Sequence, residues 1–338
     1  MTNLSDDTFD RFDGLWLADL SLAELPTPCK VSGWISVLRG LGEPVRIPLM
    51  VARGGGGGAT VMAVAGIHGN EFEGMAAIRH VFAELDASRL HGTFAAIPVA
   101  NPFAFEARQR VAPTAVDGLN LARAFPGSVG GTPTQALAHQ LLDFVSRHVG
   151  PDDLLIDFHS GSHDVAFATI VGVRDIDSRG RGAAERAARH FGIANLWRIP
   201  GSAGPLNAET SRRGIPTIGT ETVGRAGCDA AGTVAFTSGL RNMLRLYDIV
   251  SEGSVSSSVP GAFRSTVDVR SPCGGLLTGA ASLYQRVTAG ELLGTIVDVF
   301  GRTVEPVLAP NDGILWAARA TPAVHTGELL FTLAMIDS

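Results

Sequence analysis

The segment AGIHGNEFEG, residues 65–74, places one imidazole and two carboxylates in a glycine-rich turn that follows the apolar run TVMAVAG. His68 and Glu71 stand three residues apart, so that one imidazole nitrogen and one carboxylate can converge on a single ion. Gly66 and Gly69 permit the tight backbone path that this convergence requires. The same spacing also arises by chance in solvated loops, so a metal site needs a further ligand elsewhere in the chain.

A second histidine stands at the end of another apolar run, DLLIDFHSGS, residues 153–162. Catalytic zinc sites often use two histidines and a glutamate and leave one position open. His159 follows a predicted strand at its carboxyl end, the sheet edge where His68 and Glu71 should also lie. Asp157 is placed either to accept a hydrogen bond from the His159 imidazole or to cap the strand end.

A third apolar run, IPTIGT at residues 215–220, delivers Glu221 at its carboxyl end. Such a carboxylate is either satisfied by nearby N–H groups or available for chemistry. Beside a bound metal it would be the general base that takes a proton from the attacking water. The residues therefore favour metal-assisted hydrolysis.

The elements that must position these residues alternate along the chain. Strands VSGWISV and VRIPLMVARG come first, within a β segment over residues 28–53, and a helix is predicted from Glu71 onward. The other predicted buried strands are 60–66, 93–99, 153–158, 167–173 and 215–220, and the other helices are about 134–149, 178–191 and 235–250. This alternation predicts an α/β domain with a mostly parallel central sheet.

The serine-rich segment SEGSVSSSVPG, residues 251–261, is predicted to be a linker between two domains. Residues 1–250 would form the domain with the metal site. Residues 262–338 contain strand-length segments and glycine turns, which predict a small all-β domain of the lipoyl-like, barrel-sandwich kind. Because Lys30 is the only lysine, that domain cannot be lipoylated or biotinylated.

Composition excludes several other classes of function. The 338-residue chain is 45% hydrophobic and 18% charged, with a net charge of -6 and no basic patch for nucleic acid or an anionic membrane. No apolar run approaches the ~20 residues that span a bilayer. The single lysine also excludes a phosphate-binding P-loop and disfavours Schiff-base chemistry.

The same composition favours a cytoplasmic enzyme with a small-molecule substrate. The acidic N-terminus MTNLSDDTFDRFDG lacks the features of a signal peptide. Cys29, Cys228 and Cys273 are odd in number and widely spaced, so they predict neither a disulfide framework nor a thiolate zinc site. No base is arranged to make Cys228 a nucleophile.

The ordered motifs GIHGNEFEG, NPFAFEARQRV, DGLNLARAFPG, DLLIDFHSGS and GTETVG resemble those of the succinylglutamate desuccinylase and aspartoacylase family, whose members share the zinc carboxypeptidase fold. The resemblance covers roughly residues 30–250 and extends into the C-terminal β unit. It is strongest with the bacterial branch that includes N-acetyl-diaminobutyrate deacetylases. It implies hydrolysis of a small N-acyl amino acid to a carboxylate and a free amino acid, with one zinc ion per chain.

Site residues follow from the resemblance. It implies that His68, Glu71 and His159 bind zinc and that Glu221 is the general base. Arg110 matches the arginine that polarises the scissile carbonyl and stabilises the oxyanion, which suits a fixed guanidinium.

The substrate-binding residues match the family less completely. Arg108 is the alternative to Arg110, and Arg123 matches the arginine that grips a substrate carboxylate. Where the family usually has Leu-Asn-Arg, this chain has Ala122 before Arg123. The substrate carboxylate is then bound more weakly, the hydrogen bond is moved to Asn120, or the site is adapted to another substrate. The candidates for a further substrate-binding arginine are Arg212, Arg213 and Arg225.

Two alternatives stay open on sequence alone. One is a metallo-carboxypeptidase or an amidase that acts on another small amide. The other is a noncatalytic metal-binding or scaffold protein. The β unit itself is expected to cover the catalytic cleft or to form the interface of a homo-oligomer. Glu73 is interpreted as a first-turn carboxylate favoured by the helix dipole.

Overall fold

Helices and strands alternate up to residue 246 of the chain, and only strands follow in the part that the structure describes. The structure is a computed structural model that describes residues 11–40 and 42–336. These ranges leave out most of the N-terminal segment, which is predicted to lack the features of a signal peptide. They also leave out the last two residues of the predicted β domain. No helix among the described residues is long and apolar enough to cross a membrane.

The helices and strands agree with the predicted alternation. The helices are α1 (Glu73–Glu84), α2 (Pro102–Glu106), α3 (Pro133–His148), α4 (Arg181–Phe191), α5 (Leu206–Arg212) and α6 (Ala230–Leu246). The strands of the first part are β1 (Cys29–Leu38), β2 (Val45–Arg53), β3 (Thr60–Val64), β4 (Thr93–Ile97), β5 (Leu154–Phe158), β6 (Val165–Phe167), β7 (Ile170–Arg174), β8 (Leu196–Ile199) and β9 (Thr217–Glu221).

Eight strands form the central sheet in the order β1-β2-β4-β3-β5-β9-β7-β8. The pairs β3–β4, β3–β5, β5–β9 and β7–β8 are parallel, and the other three are antiparallel. The prediction of a mostly parallel α/β sheet is therefore confirmed. The three strands that precede His68, His159 and Glu221 are neighbours in the sheet, so these residues emerge at one edge.

The continuous apolar runs of the sequence belong to strands that are buried on both faces. In β3, Val61 and Ala63 pack into a core that includes residues of α1, α4 and α6. Met62 and Val64 point the other way, into a core that includes α3. Helices on both faces thus fix the central strands that carry the site.

The C-terminal part consists of antiparallel strands, as expected. They are β10 (Thr266–Arg270), β11 (Gly275–Thr278), β12 (Arg286–Val287), β13 (Leu292–Val297), β14 (Thr303–Leu308), β15 (Gly313–Arg319), β16 (Ala323–Val324) and β17 (Leu329–Met335). One sheet has the order β10-β17-β15-β12 and the other β14-β13-β11-β16. Leu277, Ile296, Leu315 and Phe331 belong to one shared core of this unit.

The single strand predicted over 167–173 is wrong, because the chain there forms two strands in different sheets. β6 pairs with β15 of the C-terminal unit, whereas β7 pairs with β8 and β9 of the central sheet. Thr169 lies between β6 and β7. Its N–H donates to the Tyr284 hydroxyl, and the Thr169 hydroxyl lies 2.8 Å from the Thr222 hydroxyl. These contacts turn the segment away from a continuous strand, which alternation of residue types could not reveal.

Candidate active site

His68 and Glu71 are positioned by the tight turn between β3 and α1. Gly66 has φ +68°, a conformation that favours glycine. A Cβ on Gly69 would lie 2.0 Å from the backbone carbon of Ala104, so α2 could not pack against the turn if residue 69 carried a side chain. Both glycines thus meet a steric requirement of this turn.

His68, Glu71 and His159 meet in one buried cluster. The Nδ1 atoms of the two imidazoles lie 3.2 Å apart. Glu71 Oε1 is 2.8 Å from His68 Nδ1, and Glu71 Oε2 is 2.9 Å from His159 Nδ1. Three donor atoms, one from each residue, therefore face a common point.

The donor set fits zinc. Two imidazoles and one carboxylate are ligands that zinc takes in catalytic sites. Nitrogen ligands of one tetrahedral zinc ion, with bonds of about 2.0–2.1 Å, lie roughly 3.3 Å from each other. The 3.2 Å between the two Nδ1 atoms agrees with that spacing, and the ligand atoms of the three residues all lie within 4.8 Å of one another.

The outer nitrogens of the imidazoles face polar side chains. His68 Nε2 lies 3.2 Å from Asn120 Oδ1, which also accepts a hydrogen bond from the Ala122 N–H. His159 Nε2 lies 3.4 Å from Asp157 Oδ1. Because both Asp157 oxygens are buried without a hydrogen-bond partner among the described residues, the strand-capping interpretation of Asp157 has no support. Both contacts can fix the orientation of a ligand ring.

Burial and neighbouring charges set the protonation of the histidines. Burial, and then the positive charge of Arg110, lower the pKa of His68 to about 4, so its ring is neutral and can act as a ligand. Burial also disfavours the charged form of His159, but the carboxylates of Asp157 and Glu71 outweigh it and raise its pKa. The surroundings therefore favour the neutral form of His68 and the protonated form of His159, which has to lose its proton to bind a metal.

Glu221 ends β9 at the same sheet edge. Its Oε2 is buried and has no hydrogen-bond partner among the described residues. Burial, and then the negative charge of Glu71, raise the pKa of Glu221 to about 8. A carboxyl group tuned toward neutral pH beside a donor cluster is suited to proton transfer.

The predicted arginines occupy different positions around the cluster. Arg110 Nη1 donates to Glu71 Oε1 over 2.7 Å, and Arg110 lines the cavity. Arg108, the alternative, is exposed, has a positive φ of 55° and does not line the cavity. Arg123 lines the cavity and donates to the carbonyl oxygen of Ala122, whereas Asn120 faces His68 and is not among the lining residues.

A cavity of about 700 Å³ opens over these groups. Its lining includes Arg174 from the end of β7 and Asn207 from α5, which the sequence reasoning missed. Arg174 ends an apolar strand as Glu221 does, and that signal could have identified it. Asp268 and Thr332, from the C-terminal unit, also line the cavity.

The remaining candidates have structural partners or lie apart. Arg212 and Arg213 form ion pairs with Glu209. Arg225 does not line the cavity, and its φ of 61° places it in a turn. Cys228 is an exposed free thiol near the hydroxyl of Thr233.

Glu73 begins α1, as expected of a first-turn carboxylate, but it is fully buried. It accepts hydrogen bonds from the Ser160 hydroxyl and the Asp229 N–H over 2.6 and 2.9 Å. Its role is therefore to connect α1 to the loop after β5 and to the start of α6.

Comparisons with known proteins give a consistent result. The sequence model of the succinylglutamate desuccinylase/aspartoacylase catalytic domain matches residues 57–247, more than half of the chain. An N-alpha-acetyl-L-2,4-diaminobutyric acid deacetylase from Halomonas elongata is 28% identical over 327 residues, which cover 93% of this chain and 90% of that protein.

Solved structures share the fold over nearly the whole chain. A succinylglutamate desuccinylase/aspartoacylase from Rhodobacter sphaeroides is 26% identical, with a TM-score of 0.80 and coverage of 91% of this chain and 96% of that one. The product-bound ectoine utilization protein EutE (DoeB) from Ruegeria pomeroyi has a TM-score of 0.82 at 23% identity, and covers 93% of this chain and 98% of its own. The C-terminal strands are thus part of the shared architecture.

Proposed function

Because the chain belongs to the succinylglutamate desuccinylase/aspartoacylase family, we propose that it hydrolyses the amide bond of a small N-acyl amino acid and releases a carboxylate and a free amino acid. The observation that carries the proposal is the convergence of the His68, Glu71 and His159 donors with Glu221 at one sheet edge. The N-acetyl amino acid named for the Halomonas elongata relative is of this substrate class.

His68, Glu71 and His159 are the residues that would hold one zinc ion. When bound, zinc would lower the pKa of water toward neutrality and polarise the acyl carbonyl. The neutral ring of His68 and the ionised Glu71 are in the forms that bind a cation, since the two imidazoles hold the pKa of Glu71 low against the effect of burial. Asp157 and Asn120 would orient the two imidazoles from behind.

Glu221 would act as the general base. Its carboxylate takes a proton from the attacking water as the carbon–oxygen bond forms, and it returns that proton to the leaving amine as the carbon–nitrogen bond breaks. Arg110 would donate to the oxyanion that develops on the acyl oxygen. Arg123 would bind a substrate carboxylate, because it lines the cavity and its one hydrogen-bond acceptor among the described residues is the Ala122 carbonyl.

The cavity suits a small substrate, since about 700 Å³ lies within the range of pockets for small molecules. Both walls contain charged groups, which favours a polar acyl amino acid over a long peptide. All three cysteines of the chain are free thiols, as expected in the reducing cytoplasm, where we place the enzyme.

A panel of N-acetyl, N-formyl and N-succinyl amino acids, assayed for amine release, tests this function. We expect hydrolysis that is lost with a chelator and restored by zinc. Glu221→Gln should lower kcat by about 10²–10⁴-fold, because general base catalysis is removed, while zinc content stays at the wild-type level. Full activity in Glu221→Gln, or in metal-free protein, would overturn the mechanism.

A further inference from the structure

Arg174 lines the active-site cavity without a carboxylate partner. It is the last residue of β7 and is partly buried. Its Nε donates to Asn207 Oδ1 and its Nη1 to the carbonyl oxygen of Pro200, each over 2.6 Å. Both acceptors are neutral, and no ion pair found among the described residues includes Arg174. A buried guanidinium of this kind is stabilised when an anion joins it.

Asn207 adds a hydrogen-bond donor beside that guanidinium. Its side chain is only 4% exposed, and Nδ2 makes no hydrogen bond with the residues that the structure describes, although its Oδ1 accepts from Arg174. A Cβ on Gly219 would lie 2.9 Å from Asn207 Nδ2, so the absence of a side chain there makes room for the amide. Asn207 and Gly219 both line the cavity, as does Glu221 two residues after Gly219.

Arg123 is a second positively charged residue that lines the cavity without an ion-pair partner among the described residues. Within the described part of the chain, its guanidinium donates only to a backbone carbonyl and belongs to no ion pair. Burial lowers the pKa of Arg174 to about 10; the negative charge of Asp157 opposes this shift, and the positive charge of Arg123 adds to it. Arg110, in contrast, is already paired with Glu71.

We propose that Arg174 and Asn207 form a carboxylate-binding subsite that recognises a carboxylate of the substrate independently of Arg123. The free N–H groups of the guanidinium and the Asn207 amide would bind its two oxygens. The inference rests on the proposed function for the identity of the ligand as an N-acyl amino acid. The carboxylate is either the α-carboxylate of the amino acid or a second one on its side chain or acyl group.

Two variants test the subsite. Arg174→Gln removes the charge, and Asn207→Asp keeps the size of the side chain but supplies an internal carboxylate that neutralises Arg174. Each should raise KM for carboxylate-bearing substrates by about ten- to a hundredfold, the effect of losing a charge-assisted hydrogen bond. The matched control is Arg198→Gln in neighbouring β8, because Arg198 pairs with Glu185 at 2.8 Å and does not line the cavity.

Three substrates that differ in the position of their carboxylates identify which carboxylate Arg174 binds. N-acetyl-L-alanine has an α-carboxylate alone, N-acetyl-L-aspartate adds one on the side chain, and N-succinyl-L-alanine adds one on the acyl group. A KM increase for all three assigns Arg174 to the α-carboxylate, and an increase for one dicarboxylate alone assigns it to that group. Unchanged KM values in both variants, or a loss confined to kcat, would overturn the subsite.

A binding measurement separates this inference from the proposed function. Isothermal titration calorimetry with succinate, L-aspartate and L-alanine reports carboxylate binding without turnover. If the wild-type protein hydrolyses no N-acyl amino acid, the proposed function fails, while a loss of carboxylate binding in Arg174→Gln still supports the subsite. Equal binding in the wild type, Arg174→Gln and Asn207→Asp overturns it whatever the outcome of the activity assay. If Arg174→Gln does not fold, Asn207→Asp alone decides.

Discussion

Glu221 is the residue whose ionisation should control the pH dependence of the reaction. Burial and the charge of Glu71 raise its pKa to about 8, whereas the positive charges of His159 and Arg110 lower it. A base works only when ionised, so kcat/KM should rise with pH through the pKa of this group. A bound cation favours the ionised form of Glu221. In the metal-bound enzyme, the rising limb of the pH profile of kcat/KM should therefore lie below pH 8.

Arg110→Gln should move this limb to higher pH, because a positive charge that favours the ionised form of Glu221 is removed. The measurement is the pH profile of kcat/KM for the residual activity, and Arg108→Gln, at an exposed position outside the cavity, is the control. An unchanged limb in Arg110→Gln would mean that another group titrates.

Single residues differ in how well the sequence predicts them. His68, His159 and Glu221 each follow an apolar run, and parallel strands bring such positions to one edge. Arg174 also ends an apolar strand, but an arginine there is commonly paired with an acid. Its lack of such a partner depends on how β7, α5 and the carbonyl of Pro200 meet, which no local pattern contains.

Among the elements, α3 is connected at its first turn to the loop that carries Asn120 and Arg123. Asp117 accepts hydrogen bonds from the N–H and the hydroxyl of Thr134, each over 2.8 Å. Burial raises the pKa of Asp117, but the hydrogen bonds from Thr134 outweigh it and lower the pKa below its usual value. The folded protein thus favours the ionised form of this carboxylate.

Asp117→Ala should lower the free energy of unfolding by about 0.5–2 kcal/mol, the usual effect of losing such a capping contact. Because the folded pKa of Asp117 is depressed, its contribution is present above the unfolded pKa and disappears as pH falls through the folded value. Urea denaturation at pH 7 and pH 3 measures both effects. Asp143→Ala, which removes only an exposed pair with Arg147, should change stability by less than about 0.5 kcal/mol. Equal losses in the two variants would contradict the role of Asp117.

The type and order of the long elements could be predicted, and the short ones could not. α1 begins two residues after its predicted start, and α3, α4 and α6 begin and end within five residues of their predicted bounds. β8 and the seven-residue α5 were not predicted, because their sequences are too short to show a period. α5 supplies Asn207, so the missed element is also the one that changes the interpretation of the cavity.

Across the whole molecule, the C-terminal unit is packed onto the central domain around Trp316. This side chain is 1% exposed and contacts a cluster with Ala168, Ile170 and Ala334. The boundary between two domains at residues 251–261 stays a prediction. The two units are not independent of each other, because their side chains share this cluster. A serine-rich sequence indicates a connecting segment without regular secondary structure. It does not show whether side chains of the two units pack against each other.

Trp316→Ala should destabilise the protein by about 3–5 kcal/mol, because a large side chain is removed from a closed cluster. We expect the thermal unfolding curve to split, with the C-terminal unit unfolding first, in differential scanning calorimetry. Exposed Tyr284→Phe, which loses one hydrogen bond to the Thr169 N–H, should keep a single transition with a small shift. A single, barely shifted transition for Trp316→Ala would show that the cluster does not couple the two units.

The pairing of β6 with β15 also limits how this chain can change in evolution. The segment between His159 and Val165 begins at one of the three candidate metal ligands and ends in β6, which pairs with a strand of the second unit. One inserted or deleted residue there would shift either the imidazole or the register of Ala317 with Phe167. Natural variation in length should therefore avoid this segment and collect in stretches such as residues 251–261, where neither sheet sets the count.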